Sequence, residues 1–89
     1  MLQKQIEIIN KLGLHARAAA KLVTLASRFQ SEIELSREEK KVNAKSIMGV
    51  MMLAAAKGCA VTVHADGEDA AEALAQIEAL INDRFGEGQ

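Results

Sequence analysis

The sequence of 89 residues contains no proline, tryptophan or tyrosine, and its only aromatic residues are Phe29 and Phe85. A nucleic-acid surface that stacks bases on aromatic side chains is therefore excluded. Lysine and arginine number 11 against 12 aspartate and glutamate, which gives a net charge of −1. Because nucleic-acid-binding domains carry a basic excess, we expect no nucleic-acid partner.

Cysteine and long apolar runs are also scarce. Cys59 is the only cysteine, so no disulfide can form within the chain, which favours a reducing compartment. Cys59, His15 and His64 are too few to predict a zinc site, and no cofactor is expected. No apolar run approaches the ~20 residues of a membrane span, and the polar residues after Met1 and Leu2 predict no signal peptide. These features predict a cytoplasmic protein without direct membrane insertion.

The composition is that of one small folded domain. Hydrophobic residues make up 49% and charged residues 26% of the chain, as is usual for a globular protein. The length permits a single core, so we expect one domain over residues 1–89. Gly86 and Gly88 predict that the tail, residues 86–89, is frayed.

The spacing of apolar residues changes along the chain between a period of two and a period near 3.6. Period two predicts strands and period 3.6 predicts helices. The predicted strands cover residues 2–9, 31–35, 42–44 and 60–65, and the predicted helices cover residues 16–28, 47–56 and 70–84. The order is βαββαβα. Each strand has one apolar face and each helix one apolar stripe, which predicts an α/β open-faced sandwich: a four-stranded, mostly antiparallel sheet with three helices on one face.

The second predicted helix is apolar on nearly every side, since Ile47, Met48, Met51 and Met52 lie within six residues. Two interpretations stay open. The helix is either deeply buried, or it presents an adaptable, methionine-rich surface to partner proteins.

His15 is the main candidate for chemistry. It lies where the loop containing Gly13 ends and the first helix begins, and Arg17 follows closely. A helix start offers unpaired amides and the positive end of a dipole, which together favour an anion. An imidazole there could accept a phosphoryl group on a ring nitrogen, with the Arg17 guanidinium supporting its charge. The alternative is a histidine that only caps the helix.

The other polar candidates are predicted to be structural. His64 falls on the polar side of its strand, and nothing near Cys59 in the sequence would activate its thiol. Ser46 precedes the second helix and is predicted to be its N-cap. There is no nucleophile elbow and no P-loop, which excludes serine-hydrolase and P-loop nucleotide-binding functions.

Two segments together resemble the family of HPr, the phosphocarrier of the bacterial sugar phosphotransferase system: Gly13-Leu14-His15-Ala16-Arg17, and Asn43 to Met51. The resemblance covers nearly the whole chain except residues 86–89. It implies that the histidine matching His15 takes a phosphoryl group on Nδ1 from phospho-Enzyme I and passes it to an Enzyme IIA protein. It also implies that the arginine matching Arg17 stabilises the phosphate.

The resemblance further implies a regulatory role for Ser46, which an HPr kinase/phosphorylase phosphorylates in some members of the family. The residues matching Ile47, Met48 and Met51 would form a partner-docking surface. One position departs from the family, where proline usually follows the arginine and Ala18 stands here. Alanine is the best helix former, so the chemistry stays plausible and only partner specificity comes into question. We expect a monomer.

Two other functions stay open beside this phosphocarrier. One is a regulatory binding module of the same fold that acts mainly through phosphorylation of Ser46. The other is an unrelated α/β domain that binds a small molecule, for which the sequence shows no specific pocket residues. A phosphocarrier is recharged in every cycle, so whether it counts as an enzyme is a matter of definition.

Overall fold

Four strands and three α-helices alternate in the predicted order in a computed structural model that describes residues 1–89. The elements in chain order are β1 (Leu2–Glu7), α1 (Ala16–Ala26), β2 (Glu32–Arg37), β3 (Lys40–Asn43), α2 (Ile47–Met52), β4 (Ala60–Asp66) and α3 (Ala70–Asn82), followed by one turn of 3₁₀-helix at Arg84–Gly86. None of the helices combines the length and the apolar character needed to cross a membrane.

The strands form one sheet in the order β1-β4-β2-β3, and every neighbouring pair is antiparallel. Leu2 lies opposite Ala65 across β1 and β4, and Glu34 lies opposite both His64 in β4 and Asn43 in β3. β1 and β3 are therefore the edges of the sheet. The predicted open-faced sandwich is confirmed.

The core lies between one face of the sheet and the helices. In β4, one of the two central strands, the alternate residues Val61, Val63 and Ala65 are buried. The period-two interpretation of β1 is correct only in part, because Leu2 at the outer end of this edge strand is exposed whereas Ile6 is buried. The helices add a stripe of small and branched residues to the core: Ala18, Ala19, Leu22 and Ala26 from α1, Val50 from α2, and Ala70, Ala73, Ile77 and Ile81 from α3.

All three helices end earlier than their apolar patterns predict. The largest difference is in α2, which ends at Met52 instead of residue 56. Ala54 has a φ of 52°, in the left-handed region, so the chain has already left the helix there. Lys57 and Gly58 lie in a later turn, where the Gly58 N–H donates to the carbonyl of Ile8 at 2.8 Å.

The tail, for which the sequence predicts fraying, makes contacts with the rest of the chain. Phe85 is fully buried although its φ of 54° is unusual for a non-glycine residue. Beyond it, the carbonyl of Gln89 accepts a hydrogen bond from the Lys11 N–H at 3.0 Å. The Phe85 ring anchors the tail in the core, and residues 86–89 then fold back over the start of α1. This turn of the chain requires positive φ at Gly86 and Gly88, a conformation that glycine adopts readily.

Candidate functional site

His15 occupies the N-cap of α1. Its backbone is extended, with a φ of −74° and a ψ of 178°, and its Nδ1 accepts a hydrogen bond from the Arg17 N–H at 3.3 Å. The first turn of α1 contains no acidic residue. The imidazole therefore lies directly over the positive end of the helix, as the sequence analysis expects.

The loop before His15 is held closely against the segment that follows α2. The Leu14 N–H donates to the carbonyl of Ala55 at 2.9 Å, and the Leu14 side chain is buried. Gly13 has a φ of +67°, and a Cβ at this position would lie 2.5 Å from that same carbonyl oxygen. Only glycine fits both constraints. The backbone that carries His15 is thus fixed by packing from the side of α2.

Glu87 contacts the second ring nitrogen of the His15 imidazole. One carboxylate oxygen, Oε2, is hydrogen-bonded to His15 Nε2, and the other, Oε1, accepts from Asn10 Nδ2 at 2.9 Å. Asn10 is fully buried, and its Nδ2 also donates to the carbonyl of Gly13 at 2.9 Å. Both ring nitrogens of His15 consequently have a partner in the chain.

The Glu87 carboxyl is only 12% exposed. Burial acts to raise the pKa of the Glu87 carboxyl, but the hydrogen bonds from Asn10 and His15 outweigh that effect, and the net pKa lies below its usual value. The side chain is therefore a carboxylate at neutral pH.

Neither Glu87 nor Asn10 is predicted as a site residue from the sequence. Asn10 has the signal of a turn residue and nothing more. Glu87 stands between two glycines, in a segment that the sequence assigns to a frayed tail.

A surface cleft of about 600 Å³ lies beside His15. Arg17 is exposed on its wall, and its guanidinium makes none of the side-chain hydrogen bonds or ion pairs within the chain. Lys21, one turn further along α1, donates to the Phe85 carbonyl at 2.6 Å. The cleft is therefore lined by three cationic side chains and by the Glu87 carboxylate, and of the cations only Lys21 is hydrogen-bonded within the chain through its side chain. Its lining residues are Lys11, Leu12, His15, Ala16, Arg17, Lys21, Gly86, Glu87 and Gln89.

Ser46 is the N-cap of α2, as predicted. Its backbone is extended, and its Oγ accepts a hydrogen bond from the Gly49 N–H at 3.1 Å. The side chain of the preceding residue, Lys45, extends to the residues after α1, where its Nζ donates to the Phe29 carbonyl at 2.7 Å. Ser46 therefore has the backbone and side-chain geometry of an ordinary serine cap.

The structure does not bring Ser46 and His15 together. The Lys45–Phe29 hydrogen bond places the start of α2 beside the end of α1, and the Leu14–Ala55 hydrogen bond places the chain after α2 beside the start of α1. The two packed helices therefore run in opposite directions. Ser46 does not line the cleft beside His15.

α2 is not the deeply buried helix of the first interpretation, and the docking of partners to its exposed surface stays a prediction. Ile47, Met48, Met51 and Met52 have exposed fractions of 44%, 74%, 42% and 66%. We call these four residues the α2 patch. Only Val50 in α2 is buried. The patch runs along α2 from Ser46 toward the loop that carries His15.

The remaining candidates lie outside the cleft. His64 in β4 is hydrogen-bonded through Nε2 to Ser36 Oγ at 2.9 Å, across to β2. Cys59 is a half-buried free thiol just before β4. Neither residue lines the cleft beside His15. The chain contains no group of three or more His, Cys, Asp or Glu side chains placed to hold a metal ion.

Comparison with known proteins gives a consistent result. A family model described as "PTS HPr component phosphorylation site" matches residues 2–83. The phosphocarrier protein HPr of Cupriavidus necator is 58% identical over 89 residues, which is the whole of both chains. The crystal structure of HPr-C-His from Thermoanaerobacter tengcongensis has a TM-score of 0.94 and 49% identity and covers 98% of both chains.

A second structure from Thermoanaerobacter tengcongensis is described as an HPr dimer. It is 49% identical, has a TM-score of 0.79, and covers 98% of this chain and 100% of that one. The monomeric state expected for this chain therefore stays a prediction, which light scattering of the purified protein would test. The match over most of the chain and the shared fold establish that the chain belongs to the HPr family of phosphocarrier proteins.

Proposed function

We propose that this chain accepts a phosphoryl group on Nδ1 of His15 from phospho-Enzyme I and passes it to an Enzyme IIA protein. The observation that carries the proposal is the position of His15 at the start of α1. There, Nδ1 faces the first-turn amide of Arg17 at 3.3 Å, beside a cleft lined with cations. The resemblance of the segment around His15 to the family supplies the two partners.

The site offers what a transferable phosphoryl group needs. Nδ1 provides an unprotonated nucleophile, because the backbone N–H that it contacts is a donor only. As the new N–P bond forms, that N–H and the helix dipole favour the phosphoryl oxygens. The Arg17 guanidinium is exposed and without a partner in the chain, so no existing contact has to break before it meets the phosphate.

The surroundings of the cleft fit a protein donor and a protein acceptor. The α2 patch is exposed and rich in methionine, a residue that adapts to different partner surfaces. It extends toward His15 along α2. A partner that covers the patch and the cleft together would place its own phosphorylated group beside Nδ1 and exclude water from it.

We also propose that Ser46 is a regulatory phosphorylation site for an HPr kinase/phosphorylase. Since Ser46 does not line the cleft beside His15, its phosphate would act on the α2 patch and not on the imidazole itself. A dianion at the N-terminus of α2 is compatible with the fold. It would place a strongly hydrated charge at the rim of an apolar surface that partners must cover.

The test is to incubate the protein with Enzyme I and phosphoenolpyruvate and to measure its intact mass. We expect one added phosphoryl group that acid removes. Subsequent addition of an Enzyme IIA protein should discharge it. Absence of an adduct under conditions that charge a known HPr would reject the proposal.

A regulatory module that acts mainly through Ser46 is the second candidate, and the separation of Ser46 from His15 favours it, because a partner could recognise the Ser46 end of the α2 patch without contacting His15. This function predicts a stable phosphoserine formed with the kinase and ATP, and no acid-labile adduct with Enzyme I. The presence of both His15 and Arg17 in one cleft favours the phosphocarrier.

A further inference from the structure

We propose that Glu87 is a positioning residue that holds His15 in the tautomer with its proton on Nε2, which leaves the lone pair of Nδ1 free for the phosphoryl group. The use made of Nδ1 rests on the proposed function. The tautomer itself does not, and it can be measured without any partner.

The two hydrogen bonds of the imidazole select the same tautomer. The Arg17 backbone N–H can only donate, so Nδ1 must be the acceptor in their 3.3 Å contact. An ionised carboxylate can only accept, so Nε2 must donate its proton to Glu87. Of these two contacts the one with Glu87 is charge-assisted and half-buried, so we assign it the larger share of the preference.

The carboxylate is itself held in place. Asn10 Nδ2 donates to Glu87 Oε1 and to the Gly13 carbonyl, both at 2.9 Å. Because both partners are acceptors, the amide of this buried asparagine cannot be turned over. Glu87 Oε1 is therefore committed to Asn10, and Oε2 is left for His15.

The tail brings Glu87 to this place from a distant part of the sequence. Phe85 is buried in the core, and its carbonyl accepts from Lys21 Nζ at 2.6 Å. On the other side, the Gln89 carbonyl accepts from the Lys11 N–H at 3.0 Å. The residues on both sides of Glu87 are thus fixed to α1 and to the loop before it.

This arrangement lets the transfer proceed without a base. The Nδ1 lone pair forms the new bond to phosphorus, the bond between phosphorus and the donor nitrogen breaks, and its electron pair returns to the donor. No proton has to leave Nδ1. The Nε2 proton stays in place. The ring acquires a positive charge, which the Glu87 carboxylate stabilises through the Nε2 hydrogen bond.

Glu87→Gln is the sharpest variant, since it keeps the size of the side chain. Asn10 Nδ2 would take the single amide oxygen, which turns the NH₂ group toward His15 Nε2. A donor at that position requires a lone pair on Nε2 and so favours a proton on Nδ1. Glu87→Ala removes the partner without supplying a donor. Glu68→Gln, at an exposed position before α3, is the control that removes the same charge.

The readout is the pair of imidazole ¹⁵N chemical shifts of His15, recorded on the free proteins under conditions where the ring is neutral, together with single-turnover phosphorylation by phospho-Enzyme I. We expect the Nε2–H signature in the wild-type protein and in Glu68→Gln. Glu87→Ala should give a mixture of the two His15 tautomers, and Glu87→Gln should shift the tautomer equilibrium toward Nδ1–H. The phosphorylation rate should fall in the same order, by about 10- to 100-fold for Glu87→Gln.

A merely structural role for Glu87 would lower the melting temperature of the two variants without changing the ¹⁵N pattern, and that result would overturn the inference. So would an Nδ1–H signature in the wild-type protein. If the wild-type tautomer is as expected but phospho-Enzyme I never charges the protein, the proposed function fails and the assignment of Glu87 to the tautomer stands.

Discussion

α1 and α2 begin with the same local device. A polar side chain, His15 in one helix and Ser46 in the other, accepts a hydrogen bond from a backbone N–H of its own first turn, at 3.3 Å and 3.1 Å respectively. Both caps have extended backbones. Judged by the cap alone, the two helix starts would bind an anion equally well.

Their surroundings differ in charge. Around His15, the exposed Arg17 and the nearby Lys11 and Lys21 border a cleft, and Glu87 orients the ring. α2 has no charged residue in its six positions, and Lys45 before it is held by the carbonyl of Phe29. The start of α1 is therefore equipped to stabilise a transferable charge, whereas α2 itself supplies no charged side chain to an anion at its start.

A cap hydrogen bond by itself therefore does not identify a reactive site. The side chains that face the cap decide whether a phosphoryl group can be stabilised, exchanged and recognised. Four variants test this difference between the two helix starts.

The largest effect is expected for His15→Ala. This protein should remain folded and accept no phosphoryl group from phospho-Enzyme I, because the only imidazole in the cleft is gone. Intact mass after incubation with Enzyme I and phosphoenolpyruvate measures the result. His64→Ala, which removes the histidine on the sheet face, should behave as the wild-type protein. An acid-labile adduct on the His15→Ala protein would show that the start of α1 is not the reactive one.

Arg17→Ala should come next. Removing one fixed charge that faces developing negative charge typically slows a reaction by about 10²-fold, and here it should slow both the charging and the discharge of His15. The melting temperature should change little, because Arg17 is exposed and its guanidinium makes no hydrogen bond or ion pair within the chain. Rapid-quench kinetics measure the rates. Lys40→Ala, which removes an exposed cation from the edge strand β3, is the control, and equal rates in the two variants would remove Arg17 from the site.

Ser46→Asp should have a smaller effect on transfer and act through docking. An aspartate at an N-cap is as good as serine for the helix, so the melting temperature should be equal or slightly higher. The rate of His15 phosphorylation by phospho-Enzyme I should fall by about tenfold at low salt. A charge at the rim of the α2 patch must lose water when the partner binds, and it would repel acidic groups of the partner. Added salt should restore part of the rate.

The matched variant for Ser46→Asp is Ser46→Ala, which removes the cap without adding charge. It should cost about 0.5–2 kcal/mol of stability and transfer normally. Normal transfer by the Ser46→Asp protein at low salt would leave Ser46 with a capping role only.

Much of the fold follows from local periodicity. The alternation in β4 and the 3.6-residue spacing in α1 and α3 reflect burial on one side, and burial is the dominant force in a domain of this size. The ends of the elements are less predictable. α2 ends at Met52 because Ala54 takes a left-handed conformation to bring the Ala55 carbonyl to Leu14, and an alanine carries no signal for such a turn.

The candidate site was predictable where its residues are neighbours in sequence. His15 and Arg17 lie two residues apart, and the helix start that they share is visible from the pattern. Glu87 contacts His15 across 72 positions of sequence. That contact depends on the burial of Phe85 and on the amide of Asn10, neither of which a local pattern can connect to the cleft.

The smallest effect is expected at the start of α3, which serves for comparison with the starts of α1 and α2. Asp69 is its N-cap residue, yet the side chain makes no capping hydrogen bond and accepts instead from Ser31 Oγ at 2.5 Å and from the Gln30 N–H at 2.9 Å. These donors, the Ser31 hydroxyl first, hold the pKa of the Asp69 carboxyl below its ordinary value of 3.8. A carboxyl with a lowered folded-state pKa contributes stability that is complete above its ordinary value and is lost as pH falls through the folded-state value.

Asp69→Asn places an NH₂ group against one of these donors, so its melting temperature should lie a few degrees below that of the wild-type protein at pH 7. The gap should narrow below about pH 4, whereas Glu39→Gln, in the exposed turn after β2, should show no gap at either pH. A gap that stays constant from neutral to acid pH would mean that the charge of Asp69 contributes nothing. The start of α3 would then differ from the other two in geometry alone.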